Sequence, residues 1–201
     1  MEINNSLKKI DESLKNIQEK KVIENFPFLE EIDLSFNLIK ILEIKNCPKL
    51  NKINISNNMI YDIIFCFNEE KISFLELSSK NENDDDYSIF MEKVKRIFSE
   101  FPFLWNLNLS NNVGFSFSLK IVKFLKNLRI LNITKVNILK DLNDFDLPKT
   151  LETLVCLKDD FPLKGYEKCI YYSEGENFAH YYNLTKIINE EKNKENELIT
   201  I

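Results

Sequence analysis

Apolar residues recur along this chain in a short fixed frame. The stretch L-E-E-I-D-L-S-F-N runs from Leu29 to Asn37, L-N-K-I-N-I-S-N-N from Leu50 to Asn58, and L-W-N-L-N-L-S-N-N from Leu104 to Asn112. All three fit L-x-x-L-x-L-x-x-N. Looser copies keep the apolar spacing at Ile72/Leu75/Leu77, Leu128/Leu131/Ile133 and Leu151/Leu154/Cys156. The six starts lie 21, 22, 32, 24 and 23 residues apart. The alternating L-x-L centre predicts a short strand with every second side chain turned inward. One such strand cannot bury that face alone, whereas stacked copies share a continuous core.

The segments between these strands differ. L-I-K-I-L-E-I-K-N-C-P after Asn37 and M-I-Y-D-I-I-F-C-F after Asn58 alternate with period two, so Leu42/Ile44 and Ile63/Phe65 face inward on extended backs. Lys80 to Tyr87 is a polar loop. Beyond it, Phe90, Val94, Ile97, Phe98 and Phe101 follow helical spacing, with Ser88 as N-cap. Ser118 to Lys126 is a second candidate helix, with Leu119, Val122 and Leu125 on one face. At the start, Leu7, Ile10, Leu14 and Ile17 share the face of a helix over Ser6 to Glu24, read as an N-terminal cap within residues 1–25. The repeating array then covers 26–160. A C-terminal cap covers 161–190, with Phe178, Tyr181, Leu184 and Ile188 at helical spacing, and 191–201 form a flexible tail.

The asparagine that ends each full copy sits where the chain leaves the strand. Its amide both donates and accepts, so Asn37, Asn58 and Asn112 are expected to be buried and to satisfy backbone groups that the turn leaves unpaired. The looser copies put Lys80, Val136 and Asp159 in that slot.

On these residues, from Phe26 to Asp160, the chain resembles the leucine-rich repeat superfamily, of intracellular type. The resemblance implies an α/β fold: a solenoid with a parallel concave β-sheet of about six strands, a mixed extended and helical convex side, and helical caps. That scaffold serves unrelated partners. It implies a non-catalytic interaction module, an adaptor or regulatory subunit that acts as a monomer and holds a protein partner on the concave face. Relatives in messenger-RNA export and splicing, and regulators of phosphatases or GTPases, supply the alternatives. Phe26-Pro27 and Phe101-Pro102 are compatible with the first of these.

The concave face follows from alternation within the nine-residue frame. Its third positions are Glu31, Lys52, Phe74, Asn106, Ile130 and Thr153. Its fifth are Asp33, Asn54, Glu76, Asn108, Asn132 and Val155. Its seventh are Ser35, Ser56, Ser78, Ser110, Thr134 and Leu157. The partner surface is accordingly placed on Glu31, Asp33, Lys52, Asn54, Phe74, Glu76, Asn106, Asn108, Ile130, Asn132, Val155 and Leu157. Glu30, Glu31 and Asp33 make an acidic end suited to a basic element. Ile130, Val155 and Leu157 make an apolar patch, either open to a partner or covered by the C-terminal cap. Phe74 and Trp105 are the aromatic anchors.

Composition narrows the chemistry. The 201 residues carry a net charge of -5, so no overall basic field favours phosphate, and direct nucleic-acid binding is not expected. No apolar run reaches the roughly 18 residues of a membrane span, so no membrane is expected. Met1 to Lys20 lacks the apolar core of a signal peptide, which points to the cytoplasm or nucleus, with Cys47, Cys66, Cys156 and Cys169 as thiols. No C-x-x-C pair occurs and His180 is the single histidine, so no metal or cofactor is expected. Gly114, Gly165 and Gly175 are isolated, which excludes a phosphate-binding loop. His180 has no nucleophile motif, Cys156 falls at an inward position, and no catalytic residue is assigned. Asp84 to Asp86 lack the remaining spacing of a calcium loop and read as a solvated turn. The N-x-S/T triplets at Asn54, Asn108 and Asn132 lie on strands and read as structural, not as glycan acceptors.

Overall fold

In the computed structural model, residues 6–79, 86–139, 147–148, 150–157 and 170–172 are described. The chain runs β1 (Lys9–Asp11), β2 (Gln18–Glu24), β3 (Glu31–Asp33), β4 (Leu38–Lys45), β5 (Lys52–Asn54), β6 (Asp62–Phe67) and β7 (Glu70–Ser73). Then follow α1 (Phe74–Ser79), α2 (Tyr87–Ser99), β8 (Asn106–Asn108), β9 (Ser116–Phe117), a 3-10 helix (Leu119–Phe124), β10 (Ile130–Asn132), β11 (Asn137–Ile138), β12 (Thr153–Leu157) and β13 (Ile170–Tyr172).

The fold is α/β, built on a seven-stranded sheet in the order β1-β3-β5-β8-β10-β12-β13, every neighbouring pair of which is parallel. The register is constant: Ile10, Ile32, Ile53, Leu107, Leu131 and Leu154 lie side by side as successive rungs. All six are buried. Between these strands the chain crosses to a second sheet, β2-β4-β6-β7, parallel except for its last strand. Ile39, Leu42, Ile44, Ile63 and Phe65 from that sheet meet Leu29, Leu34, Leu50 and Ile55 in one shared core.

Several expectations are corrected. Residues 6–24 hold the strands β1 and β2 joined by a turn, not a capping helix, so the parallel sheet begins at Lys9, ahead of residue 26. Only Ile10 among the four residues of the proposed helical face is buried, and Leu14 is 77% exposed. The reason lies in Ile10-Asp11-Glu12-Ser13, which makes the same local bonds as Ile32-Asp33-Leu34-Ser35: both Ser13 and Ser35 donate N–H and O–H to the aspartate two residues back.

The Ile72/Leu75/Leu77 copy is not a rung of the seven-stranded sheet. A turn at Asn68 and Glu69, with Asn68 at φ 53°, folds β7 back antiparallel on β6. Asp62, buried on β6, then accepts bonds from the Ser73 hydroxyl and the Leu75 N–H at the start of α1. β5 therefore pairs with β8 directly.

The cap at the start of α2 is Asp86, not Ser88, and its side chain makes no capping bond. The inward face of α2 is Phe90, Val94, Ile97 and Phe98, and Arg96 pairs with Glu70 of β7 at 2.6 Å. The second candidate helix is a 3-10 helix, with Ser118 accepting from the Lys120 N–H. Of the expected C-terminal cap, residues 170–172 form the strand beside β12. Glu176 to Glu190 and the tail 191–201 lie outside the described residues.

Asn37, Asn58 and Asn112 are buried and make one repeated set of bonds. Each Nδ2 donates to two carbonyls of its own turn and to one on the preceding strand. Asn58 reaches Ile55 and Ser56 and, across the sheet, Leu34. Asn112 reaches Leu109, Ser110 and Ile55. Asn37 reaches Leu34, Ser35 and Glu12. Each Oδ1 accepts from the back of the preceding turn: Lys15 and Ile17 for Asn37, Ile39 for Asn58, Ile60 for Asn112. Just before each asparagine the backbone turns left-handed, at Phe36, Asn57 and Asn111 (φ 57° in each). Leu14 and Lys135 do the same on their strands.

On the back sheet a lighter ladder recurs. Asn25, Asn46 and Asn68, one residue past β2, β4 and β6, are all left-handed. Asn46 Nδ2 donates to Asn25 Oδ1, and Asn68 N–H to Asn46 Oδ1.

Two predictions follow from these bonds. Asn58→Ala strands a buried N–H and several carbonyls at once, and an orphaned buried group costs about 1–3 kcal/mol. A loss of about 2–3 kcal/mol is expected in urea unfolding, against under about 0.5 kcal/mol for the exposed Asn137→Ala.

The second concerns Lys20 and Glu43, 2.5 Å apart across β2 and β4. The Lys20 ammonium holds the Glu43 carboxyl below its ordinary value of 4.5, and Glu43 holds Lys20 above 10.5. The pair therefore stabilises fully between those ordinary values. Its contribution falls away as pH drops through the lowered Glu43 value, and again as pH climbs past the raised Lys20 value. The difference in melting temperature between wild type and Glu43→Gln should be present at neutral pH and close in acid. At most about 1 kcal/mol is at stake for a partly solvated pair.

Candidate functional site

The outward side chains of the seven-stranded sheet form two rows across the rungs. Row three is Lys9, Glu31, Lys52, Asn106, Ile130 and Thr153; row five is Asp11, Asp33, Asn54, Asn108, Asn132 and Val155. Glu31, Asp33, Lys52, Asn54, Asn106, Asn108, Ile130 and Asn132 thus share one face, and all are half-buried. Lys9 and Asp11 join them from β1, where the apolar spacing predicts a helix. The signal that finds them is the D-x-S triplet at Asp11 to Ser13.

Row five is occupied by structural bonds. The Oδ1 atoms of Asp33, Asn54 and Asn108 accept from both the N–H and the hydroxyl of the serine two residues on, at 2.6–3.3 Å. Asn132 accepts from the Thr134 N–H. Asn54 Nδ2 also donates across the rungs to Asp33 Oδ2 at 3.1 Å. This corrects the placement of Ser35, Ser56 and Ser110 on the open face. They are buried because each hydroxyl folds back onto its Asx partner. Ser78 has left the sheet with α1.

Three other site residues are displaced. Phe74 is 2% exposed and fills the core between the two sheets, with its ring centroid 5.7 Å from those of both Phe115 and Phe117. Glu76 is exposed, but on α1 and off the sheet face. Both follow from β7 turning back on β6. Val155 is only 1% exposed, so the apolar patch is not an open surface at that rung; Ile130 beside it is half-buried. The Leu157 side chain lies outside what is described.

The acidic end is balanced as well. Lys8 pairs with Glu30 at 2.8 Å, and Lys9 and Lys52 flank Glu31 in row three. A basic element gains little there.

Where the strands begin, a third row carries Asn51, Trp105, Arg129 and Glu152, joined rung to rung through the Asn51, Trp105 and Arg129 carbonyls. Between its later members opens a groove of about 420 Å³, lined by Phe103, Trp105, Asn127, Arg129, Thr150 and Glu152. Trp105 is 36% exposed and Phe103 48%. Arg129 and Glu152 approach to 3.7 Å, and Lys49 Nζ lies 4.6 Å from the centre of the Phe103 ring. Sequence reasoning singled out Trp105 alone. The second position of three successive copies (Trp105, Arg129, Glu152) carries the rest of the signal.

The described cysteines, Cys47, Cys66 and Cys156, are buried and unbridged. Burial pushes the Cys47 and Cys66 thiols up, which disfavours a reactive thiolate. Among the described residues no three His, Cys, Asp or Glu side chains cluster as a metal site, and no helix is long and apolar enough to cross a membrane. His180, Cys169, Asp84, Asp85, Lys80 and Asp159 lie outside the described residues. No family model, curated protein or solved structure matches this chain.

The burial of Val155 sets a test that separates core from surface within one rung pair. Val155→Lys puts an unpaired charge where there is no water and should cost about 3 kcal/mol. Ile130→Lys, half-buried on the same face, should cost under about 1 kcal/mol. Urea midpoints of the two variants measure the difference.

Proposed function

We propose that this chain is a leucine-rich repeat solenoid that works as a non-catalytic protein-interaction module inside the cell, with a protein partner on the face of the seven-stranded sheet. Row three carries the reading: Lys9, Glu31, Lys52 and Asn106 stand side by side, in constant register, on a rigid sheet. A surface so fixed loses little conformational entropy when a partner docks. Parallel rungs joined by buried asparagines support the repeat assignment, since each rung leans on the next and offers one side chain per row. Row three is mixed in charge, which suits a partner with alternating polar groups and disfavours a nucleic-acid backbone.

Site-specific photocrosslinking tests this. A photoreactive residue at Glu31 or Lys52, neither of which takes part in the Asx–serine bonds, should capture the same partner in native extract. One at the exposed Lys95 of α2 should not. Equal capture from Lys95, or none from either sheet position, rejects the sheet face as the binding surface.

A further inference from the structure

We infer that the groove between Trp105 and Arg129 is a docking site for an acidic peptide segment carrying one large apolar side chain. This rests on the binding-module reading and specifies the chemistry of the partner.

The groove combines an apolar floor with a surplus of positive charge. Trp105 and Phe103 supply exposed aromatic surface, and the indole N–H has no partner among the described residues. Beside them stand two exposed cations, Arg129, which lines the groove, and Lys49, over the Phe103 ring, against one carboxylate, Glu152, among the described lining residues. Lys49 meets the Phe103 ring and, among the described residues, no carboxylate; Arg129 meets Glu152 at 3.7 Å. In a chain of net charge -5, this local excess of cations is a specific feature, complementary to an acidic ligand. The volume lies within the roughly 300–1,000 Å³ usual for ligand sites. An apolar side chain seated on Trp105 leaves the flanking acidic groups near Arg129 and Lys49. The indole N–H and the Arg129 guanidinium are donors suited to a peptide carbonyl and a carboxylate.

A single-stranded nucleic acid is the competing ligand for aromatic and basic residues together. One observation weighs against it: Lys49 already covers the Phe103 ring on which a base would stack.

Trp105 is the one tryptophan of the sequence, so its emission reports on this groove alone. The full chain is titrated with a short synthetic peptide of Asp and Glu around a central Leu. The parallel ligands are the same peptide with Ala for Leu, the same with Lys for its acids, and an oligouridylate of similar length. The acidic Leu peptide should shift the emission saturably. Its affinity should fall about tenfold in Arg129→Glu, with melting temperature unchanged, and again in about 0.5 M salt. The Ala and Lys peptides should bind at least about tenfold more weakly. No saturable shift, equal binding of the Lys peptide or the oligouridylate, or an affinity indifferent to Arg129→Glu overturns the proposal. Crosslinking from Glu31 and Lys52 is read independently. A groove that fails while those positions still capture a partner refutes the acidic-peptide assignment alone.

Discussion

The structure depends on a carboxamide that bonds in two directions. Each of Asn37, Asn58 and Asn112 closes its own turn and, with the same side chain, fastens the turn before it. Strands of three residues cannot hold a sheet on backbone bonds alone. The crossing from front sheet to back would leave buried N–H and C=O groups unpaired at every rung. Asparagine meets the need because it is short, neutral, and both donor and acceptor. Aspartate would lose the donor half, and a hydroxyl has too few atoms to span both turns.

That solution constrains the residues around it. The chain must turn left-handed immediately before each asparagine. Asn57 and Asn111 adopt this at low cost, while Leu14, Phe36 and Lys135 bear a strain of about 1–2 kcal/mol each. At the same positions the N–H bonds reach the following strand: Leu14 to Ser35, Phe36 to Ser56, Asn57 to Ser110 and Asn111 to Thr134. The left-handed turn thus continues the ladder past the strand itself. The change from extended to helical backs is accommodated by aromatic packing. Phe65, the last large inward residue of β6, packs edge-on against Phe98 and Phe101, while Phe74 meets Phe115 and Phe117. Rings fill the wider gap that opens where α2 replaces a strand.

Legibility in the sequence followed the strength of each local signal. Rungs with both an apolar triplet and the final asparagine were readable, because two independent physical demands coincide there. The first strand was hidden because Glu12 and Lys15 occupy an inward slot and the asparagine slot, leaving an apolar spacing that a helix satisfies equally well. Its true mark, the aspartate-to-serine bond of Asp11 and Ser13, is a short-range one. Ile72 misled for the opposite reason: its apolar spacing is right, but the Asn68-Glu69 turn and the Asp62 carboxylate decide where it goes. Those partners are distant in sequence or polar, and a hydrophobic pattern does not register them. The burial of Val155 depends on tertiary contacts that alternation does not encode.

These bonds also divide the exposed face by role. Row five looks like a binding surface in sequence, a line of Asp and Asn on an open sheet. Its oxygens are nevertheless committed to the serines and threonine two residues on, and a partner competing for them would have to break the rungs. Row three and the strand-start row carry no such duty. There the residue types change from rung to rung: Lys9, Glu31, Lys52, Asn106 in one row, Asn51, Trp105, Arg129, Glu152 in the other. A scaffold that assigns its uniform residues to cohesion leaves its varied ones free for recognition. On the interaction role proposed above, specificity falls to those two rows and concentrates where they run together beside Trp105.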